Sequence, residues 1–138
     1  MTHDKEKVLF LCTHNSVRSQ MAEGWLGHLY GDRFDPMSAG AKPAGVSRTA
    51  TQVMAEVGID ISNHRSESVE EYLDRKPDIV VTVCDNAREH CPVFPGKCRM
   101  IHRNFYDPGT AEGDRDFIVS EFRRIRDEIG EWIRREFG

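Results

Sequence analysis

The residues Val8-Leu9-Phe10-Leu11 form an unbroken apolar run, and Ile79-Val80-Val81-Thr82-Val83 forms a second one later in the chain. Runs this short, without polar alternation, belong to strands covered on both faces, as in a parallel sheet held between helices. Between them the period changes. Met21, Trp25 and Leu29 recur four apart, and Ala50, Val53, Met54 and Val57 repeat at helical spacing up to Gly58. Phe34–Ser38, closed by Ala39-Gly40, is expected as another short strand and Cys98–Phe105 as a weaker one. Pro43 and Gly45 mark a loop, and Val69–Leu73 is a short amphipathic piece ahead of Pro77. From Phe117 the positions Ile118, Phe122, Ile125, Ile129, Trp132 and Ile133 describe a long terminal helix with acids and arginines opposite. This alternation predicts an α/β fold, a four-stranded parallel sheet with helices on both faces. Sites in such sheets lie beyond the carboxyl ends of the strands, which is where Cys12 and Cys84 fall.

At 138 residues the chain is expected to be one domain, 1–138. Its formal charge of -4, from 23 acids and 19 bases, argues against a nucleic-acid surface but leaves room for one local basic pocket. No apolar run approaches the ~18 residues of a membrane span. The start, Met1–Lys7, is polar and no signal-peptide core follows it, so no membrane attachment and a cytoplasmic setting are expected. Thiols stay reduced there, so Cys12, Cys84, Cys91 and Cys98 do not form a static disulfide framework. Catalysis, metal binding and core packing remain open to them.

The segment Cys12-Thr13-His14-Asn15-Ser16-Val17-Arg18-Ser19 leaves the first strand and enters a helix. In that setting the loop amides can point at an anion, helped by the helix N-terminus. Arg18 adds a two-pronged donor for two oxygens of a tetrahedral anion. The same donors stabilise a thiolate at Cys12, with Ser19 as a further hydrogen-bond partner. That is the construction a thiol nucleophile needs to attack a bound oxyanion. The bland alternative is a buried cysteine with an incidental arginine, and the strand–loop–helix setting weighs against it. His14 is read as a loop-structure residue, since a thiolate already formed needs no base. Asp107, before Pro108-Gly109, has two readings: an acid that protonates a departing oxygen, or a turn aspartate.

Several segments together resemble the low-molecular-weight protein tyrosine phosphatase superfamily. They are the loop, Gln20-Met21-Ala22-Glu23-Gly24-Trp25, Ser38-Ala39-Gly40, Gly58-Ile59-Asp60-Ile61-Ser62-Asn63-His64, Asp107-Pro108 and Arg126-Asp127-Glu128-Ile129. The resemblance is closer to its redox branch, the thioredoxin-coupled arsenate reductases, and covers nearly the whole chain. It implies a low-molecular-weight tyrosine phosphatase-like fold, with Cys12 as nucleophile, residues Thr13 to Ser19 binding oxyanion, and Asp107 as general acid. It also implies that Cys84 and then Cys91 carry electrons. Arsenate is a tetrahedral dianion like phosphate, and thiols reduce it to arsenite. In the implied relay Cys12 attacks arsenate, Cys84 attacks next with release of arsenite, and Cys91 frees Cys12 by thiol–disulfide exchange. Thioredoxin, glutaredoxin or another small thiol would then reduce Cys84–Cys91, and a monomer is expected.

A plain phosphotyrosine phosphatase is the alternative. It shares Cys12, Arg18 and Asp107 but leaves Cys84 and Cys91 unexplained, and Gly109 and Thr110 offer no platform for a phenyl ring. Residual phosphatase activity is compatible with either reading. A non-enzymatic oxyanion-binding module is a second rival. The loop departs from the family pattern at two positions, which have His14 for glycine and Val17 for cysteine. His14 raises a question of backbone conformation, because glycine tolerates positive φ far better. Some relatives hold potassium beside the loop, and the matching positions are Asn15, Glu23, Ser38 and Glu67, with glutamate where aspartate is expected. Four polar residues without an ion is the alternative there. A zinc site from Cys84, His90, Cys91, Cys98 and His102 lacks paired-cysteine spacing. Cys98 is expected as a small core residue.

One geometric expectation follows. Asp85–His90 reads as helical, and seven residues at ~1.5 Å each set Cys84 and Cys91 about 10 Å apart. A disulfide requires Cα atoms ~4.4–6.8 Å apart, so this segment must unwind on oxidation. Pro92, Pro95 and Gly96 suit a mobile piece.

Overall fold

The computed structural model describes residues 5–94 and 96–138. Met1–Asp4 of the polar start and Pro95 of the expected mobile piece lie outside the described residues. Strands β1 (Glu6–Cys12), β2 (Phe34–Gly40), β3 (Ile79–Thr82) and β4 (Arg99–His102) form one parallel sheet in the order β2-β1-β3-β4. Val8–Cys12 and Ile79–Thr82 are buried throughout, as strands covered on both faces must be.

The crossover from β1 through α1 (Arg18–Tyr30) to β2 steps one way along the sheet. The crossover from β3 through α3 (Asp85–Glu89) to β4 steps the other way. Right-handed crossovers therefore put α1 and α3 on opposite faces. The order reverses at β1, where Cys12 lies beside Gly40 and Leu11 beside Thr82. This is the switch point at which a ligand crevice opens.

On the α1 face, α2 (Arg48–Glu56) and α4 (Arg115–Phe137) complete the layer. Ser47 caps α2 by accepting from the Ala50 amide at 3.1 Å, and Gly58, at φ 81, ends it. The α1–α4 contact closes on Gly130, where a Cβ would come within 2.5 Å of the Trp25 ring. The Trp25 indole lies flat on that gap and donates to the Arg126 carbonyl at 3.0 Å. Among the described residues, no helix is long and apolar enough to cross a membrane.

Three details differ from the sequence expectations. Val69–Arg75 is a 3-10 helix, closed by Lys76 in the left-handed region. The apolar stripe of α4 starts later than expected. Asp114 caps the helix at the Phe117 amide, so Phe117 falls in the first turn at 48% exposure and Val119 takes the buried place. Cys98 packs against the margin of the core and is not fully buried in it. It is half-buried ahead of the short edge strand β4, with its sulfur 3.7 Å from Met100 Sδ.

Candidate active site

The loop after β1 owes its shape to where its carbonyls go. Those of Thr13, His14 and Ser16 accept from the amides of Lys42, Ala44 and Ser47 at 2.9–3.0 Å. The Asn15 carbonyl accepts from Gln20 Nε2 at 3.1 Å. Four successive carbonyls thus turn outward, while the His14, Asn15, Ser16 and Val17 amides meet no protein acceptor among the described residues. Helix α1 adds to this, because Val17 at its N-cap supplies no side-chain acceptor. A ring of N–H groups turned inward in this way can cradle an anion.

Position 14 needs no glycine. The left-handed residue of the loop is Asn15, at φ 49, and asparagine tolerates that region. Glycine is required one strand away, at Gly40. A Cβ there would lie 2.7–2.8 Å from the backbone of Cys12, Thr13 and Asn15. This close approach explains the Ser38-Ala39-Gly40 step seen in the sequence.

Cys12 Sγ is buried and sits 2.9 Å from Ser19 Oγ. A pocket of about 30 Å³ is lined by Cys12, His14, Ser16, Val17, Arg18 and Asp107. A water centre occupies about 10–15 Å³, so this space matches two or three waters, or the small oxyanion that would displace them. Arg18 Nη1 donates to the Phe105 carbonyl at 3.1 Å, and its Nη2 faces Asp107 Oδ2 at 3.6 Å. The fork thus stands at the pocket wall with the carboxylate beside it. Asp107 also holds the turn, accepting from the Gly109 amide at 2.9 Å. Asp107 therefore caps a turn, as one sequence reading has it, and also lines the pocket, which is the position the acid reading requires.

The second thiol is beside the loop. Thr13 Oγ1 lies 3.5 Å from Cys84 Sγ and donates to Asn86 Oδ1 at 2.9 Å. Cys84 is buried, and its sulfur accepts from the Ala87 amide at 3.3 Å, making it the N-cap of α3. Cys91 is half-buried beyond the other end of α3. Burial pushes its thiol up, and nearby Cys98 adds to the rise. Cys12 and Cys91 both line a narrow crevice of about 10 Å³ with Leu11, Val69, Ala87 and Pro92. The structure thus gathers Cys12, Cys84 and Cys91 around one loop, with Cys98 near Cys91 and outside the crevice that Cys91 shares with Cys12.

Beneath the loop, Asn15, Glu23, Ser38 and Glu67 come together. Asn15 Nδ2 donates to Ser38 at 2.9 Å, Ser38 donates to Glu23 Oε1 at 2.6 Å, and the Glu67 amide donates to Asn15 Oδ1 at 2.8 Å. Burial pushes the Glu23 carboxyl up to about 7; the Ser38 hydrogen bond opposes this, and Glu67 and Asp35 add to it. Tyr72 donates to the Glu67 carboxylate at 2.6 Å, and its own hydroxyl is raised by burial and by that contact. The Ser38 hydroxyl and the Glu23 and Glu67 carboxylates are oxygens of the kind a hard cation takes, while Asn15 turns its Nδ2 to Ser38 and Ser19. Among the described residues, no group of three His, Cys, Asp or Glu side chains gathers as a metal site.

Sequence reasoning missed the braces. Gln20 bridges the Asn15 and Arg65 carbonyls and accepts from His64 Nδ1 at 3.0 Å, leaving His64 Nε2 3.4 Å from Glu23. Burial lowers the His64 imidazole, with Asp60 opposing. Gln20 is two residues past Arg18 in a buried helix turn, and an amide buried there signals backbone bracing.

A family model described as low molecular weight phosphotyrosine protein phosphatase matches residues 7–135. An arsenate reductase of Halalkalibacterium halodurans is 45% identical over 131 residues, covering 95% of this chain and 94% of its own. A solved arsenate reductase in the phosphate binding state superposes with a TM-score of 0.76 at 30% identity, covering 94% of this chain and 95% of that one. A thioredoxin-dependent arsenate reductase of Corynebacterium glutamicum superposes with a TM-score of 0.67 at 26% identity, covering 97% of this chain and 64% of that one.

Proposed function

This chain belongs to the low molecular weight phosphotyrosine protein phosphatase family, and we propose that it is an arsenate reductase working through Cys12, Cys84 and Cys91 with thioredoxin as reductant. The observation that carries the reading is the placement of Cys84. A phosphatase needs one thiol at the loop, yet a second sulfur stands 3.5 Å from the hydroxyl of the residue after Cys12.

In the first step arsenate rests on the loop amides and the Arg18 fork. The Cys12 thiolate attacks arsenic, and a departing oxygen leaves as water with a proton from Asp107. In the second step the Cys84 sulfur attacks Cys12. The sulfur–arsenic bond breaks with its electron pair going to arsenic, which falls from the pentavalent to the trivalent state and leaves as arsenite. Two thiols have become one Cys12–Cys84 disulfide. In the third step Cys91 attacks Cys84 and Cys12 departs as thiolate. The thioredoxin dithiol then takes the Cys84–Cys91 disulfide back to two thiols. A cytoplasmic setting, where thioredoxin is kept reduced, suits this chemistry.

The phosphatase reading has the same loop but lacks a grip for an aryl group. Tyr106, beside the acid, has its ring turned to the Arg124 guanidinium, 5.5 Å away, and Gly109 and Thr110 follow. Aryl phosphate hydrolysis is therefore proposed as a slow side reaction. The test is arsenate-dependent oxidation of NADPH through thioredoxin reductase and thioredoxin. Steady consumption of NADPH, one per arsenite formed, is expected, and consumption unaffected by arsenate sinks the reading.

Asn15, Glu23, Ser38 and Glu67 would hold potassium, which would offset the Glu23–Glu67 repulsion under the loop; no chemical step passes through it. The chain is expected to melt a few degrees higher in potassium than in tetramethylammonium at equal ionic strength, as ~1 kcal/mol of ion binding gives in a domain of this size. Glu23→Gln is expected to lose that difference. Equal melting of the parent in both salts removes the ion from the account.

A further inference from the structure

Helix α3 is the part of the molecule that this relay must remodel, and its anchoring is lopsided. At five residues it has little stability of its own. Among the described residues its C-terminal end is hydrogen-bonded locally, by His90 bonding back to the Asn86 carbonyl through its amide at 3.1 Å and its Nδ1 at 2.9 Å. Its N-terminal end is held to the body of the protein. The Asp85 amide donates to Asn104 Oδ1 at 3.2 Å. His102 Nε2 donates to Asp85 Oδ1 at 2.8 Å, and His102 Nδ1 stands 2.7 Å from Thr82 Oγ1.

The His102 ring thus bridges two strands and the helix. Thr82 is the last residue of β3, buried to 1% exposure, and His102 is its register partner at the end of β4. Asp85 accepts from Nε2, so that nitrogen carries hydrogen. The Thr82 hydroxyl can donate to Nδ1, which satisfies both nitrogens of a neutral ring. The bridge ends on the residue directly after Cys84. When Cys84 moves to pair with Cys91, Asp85 moves with it and the bridge must break.

We propose that His102 and Asp85 are positioning residues of the relay: their hydrogen bond keeps α3 wound in the dithiol state and holds the Cys84/Cys91 pair back from closing. This rests on the three-thiol reading above. The balance it tilts is the exchange of two protein thiols with a cyclic disulfide. Cys84 and Cys91 lose two electrons and two protons, which convert oxidised dithiothreitol to its dithiol.

The test uses the full chain carrying Cys12→Ser and Cys98→Ser, so that Cys84 and Cys91 are the thiols left to pair. It is equilibrated across ratios of oxidised to reduced dithiothreitol, and the Cys84–Cys91 disulfide is quantified by peptide mass. Asp85 is 59% exposed, so Asp85→Ala removes the acceptor with little other change, and His102→Leu, which removes both ring nitrogens, is the second variant. Each is expected to shift the equilibrium toward the disulfide by up to about fivefold, what an exposed pair of this kind contributes. The double variant is expected to shift it no further than either single one, because both remove the same bond. A merely structural role would give two independent shifts that add. No shift, a shift toward the dithiol, or additive shifts overturn the clamp while leaving the relay standing. Failure of the Cys12→Ser, Cys98→Ser chain itself to form the Cys84–Cys91 disulfide overturns the relay and the clamp together.

Discussion

Cys84→Ser is expected to abolish multiple-turnover reduction of arsenate while leaving hydrolysis of p-nitrophenyl phosphate at its parent rate. Serine keeps the local structure. The position is the N-cap of α3, where the Cys84 sulfur accepts from the Ala87 amide at 3.3 Å, and a serine oxygen is a stronger acceptor there. It also keeps a partner for the Thr13 hydroxyl. The anion cradle, Arg18 and Asp107 are untouched. What disappears is the sulfur that must attack Cys12 for arsenic to receive its electron pair. Arsenate then stops at the adduct stage, whereas a phosphoryl group on Cys12 needs only water for its release. The paired measurement separates the rival readings: a plain phosphatase is indifferent to Cys84 in both assays. Persisting arsenate turnover in the serine protein would falsify the relay.

The fold was largely legible because its signals were local. Continuous apolar runs at Val8–Leu11 and Ile79–Val83 can only be covered strands, and both are buried as expected. The placement of the loop after β1 was legible for the same reason, with Cys12 ending the strand and Arg18 opening the next helix. What could not be read was whatever depends on distant segments meeting. Nothing local to Thr13 says that Cys84, 71 positions away, will lie against it. Nothing near His14 says that the strained backbone falls on Asn15, because the 42–47 segment that turns the loop carbonyls outward arrives from after β2. Cys98 was misplaced through an edge effect. A strand beginning Cys-Arg-Met-Ile reads as half-core, yet β4 is an edge strand of the four-stranded sheet and Met100 is 53% exposed. The family resemblance supplied roles for Cys84 and Cys91, but the hydrogen bonds of Thr13, Asn86 and Asp85 that hold α3 came only with the structure.

The same geometry sets what happens when the last thiol is removed. Cys91→Ser is expected to release about one arsenite per chain and then stop, with the protein held as a Cys12–Cys84 disulfide. The reason lies in the order built into α3. While the helix is wound, Cys91 is half-buried beyond its far end, and burial pushes its thiol up, which weakens it as a nucleophile. Cys84 is the sulfur in contact with the loop, so it acts first. Once Cys84 is bonded to Cys12 its sulfur is a weaker cap for the Ala87 amide, α3 loosens, and Cys91 is brought out of burial and within reach. Without Cys91 the first disulfide has no internal attacker. It also lies under the loop, where the sulfurs of Cys12 and Cys84 are buried away from an outside reductant. The check is arsenite counted per chain in a single addition of arsenate, with peptides 8–18 and 76–88 found joined after trypsin digestion. Continued turnover at the parent rate would mean that thioredoxin reads Cys12–Cys84 directly and that α3 has no part in the relay. No arsenite at all would mean that Cys91, which shares a crevice with Cys12, is the first resolving thiol instead of Cys84.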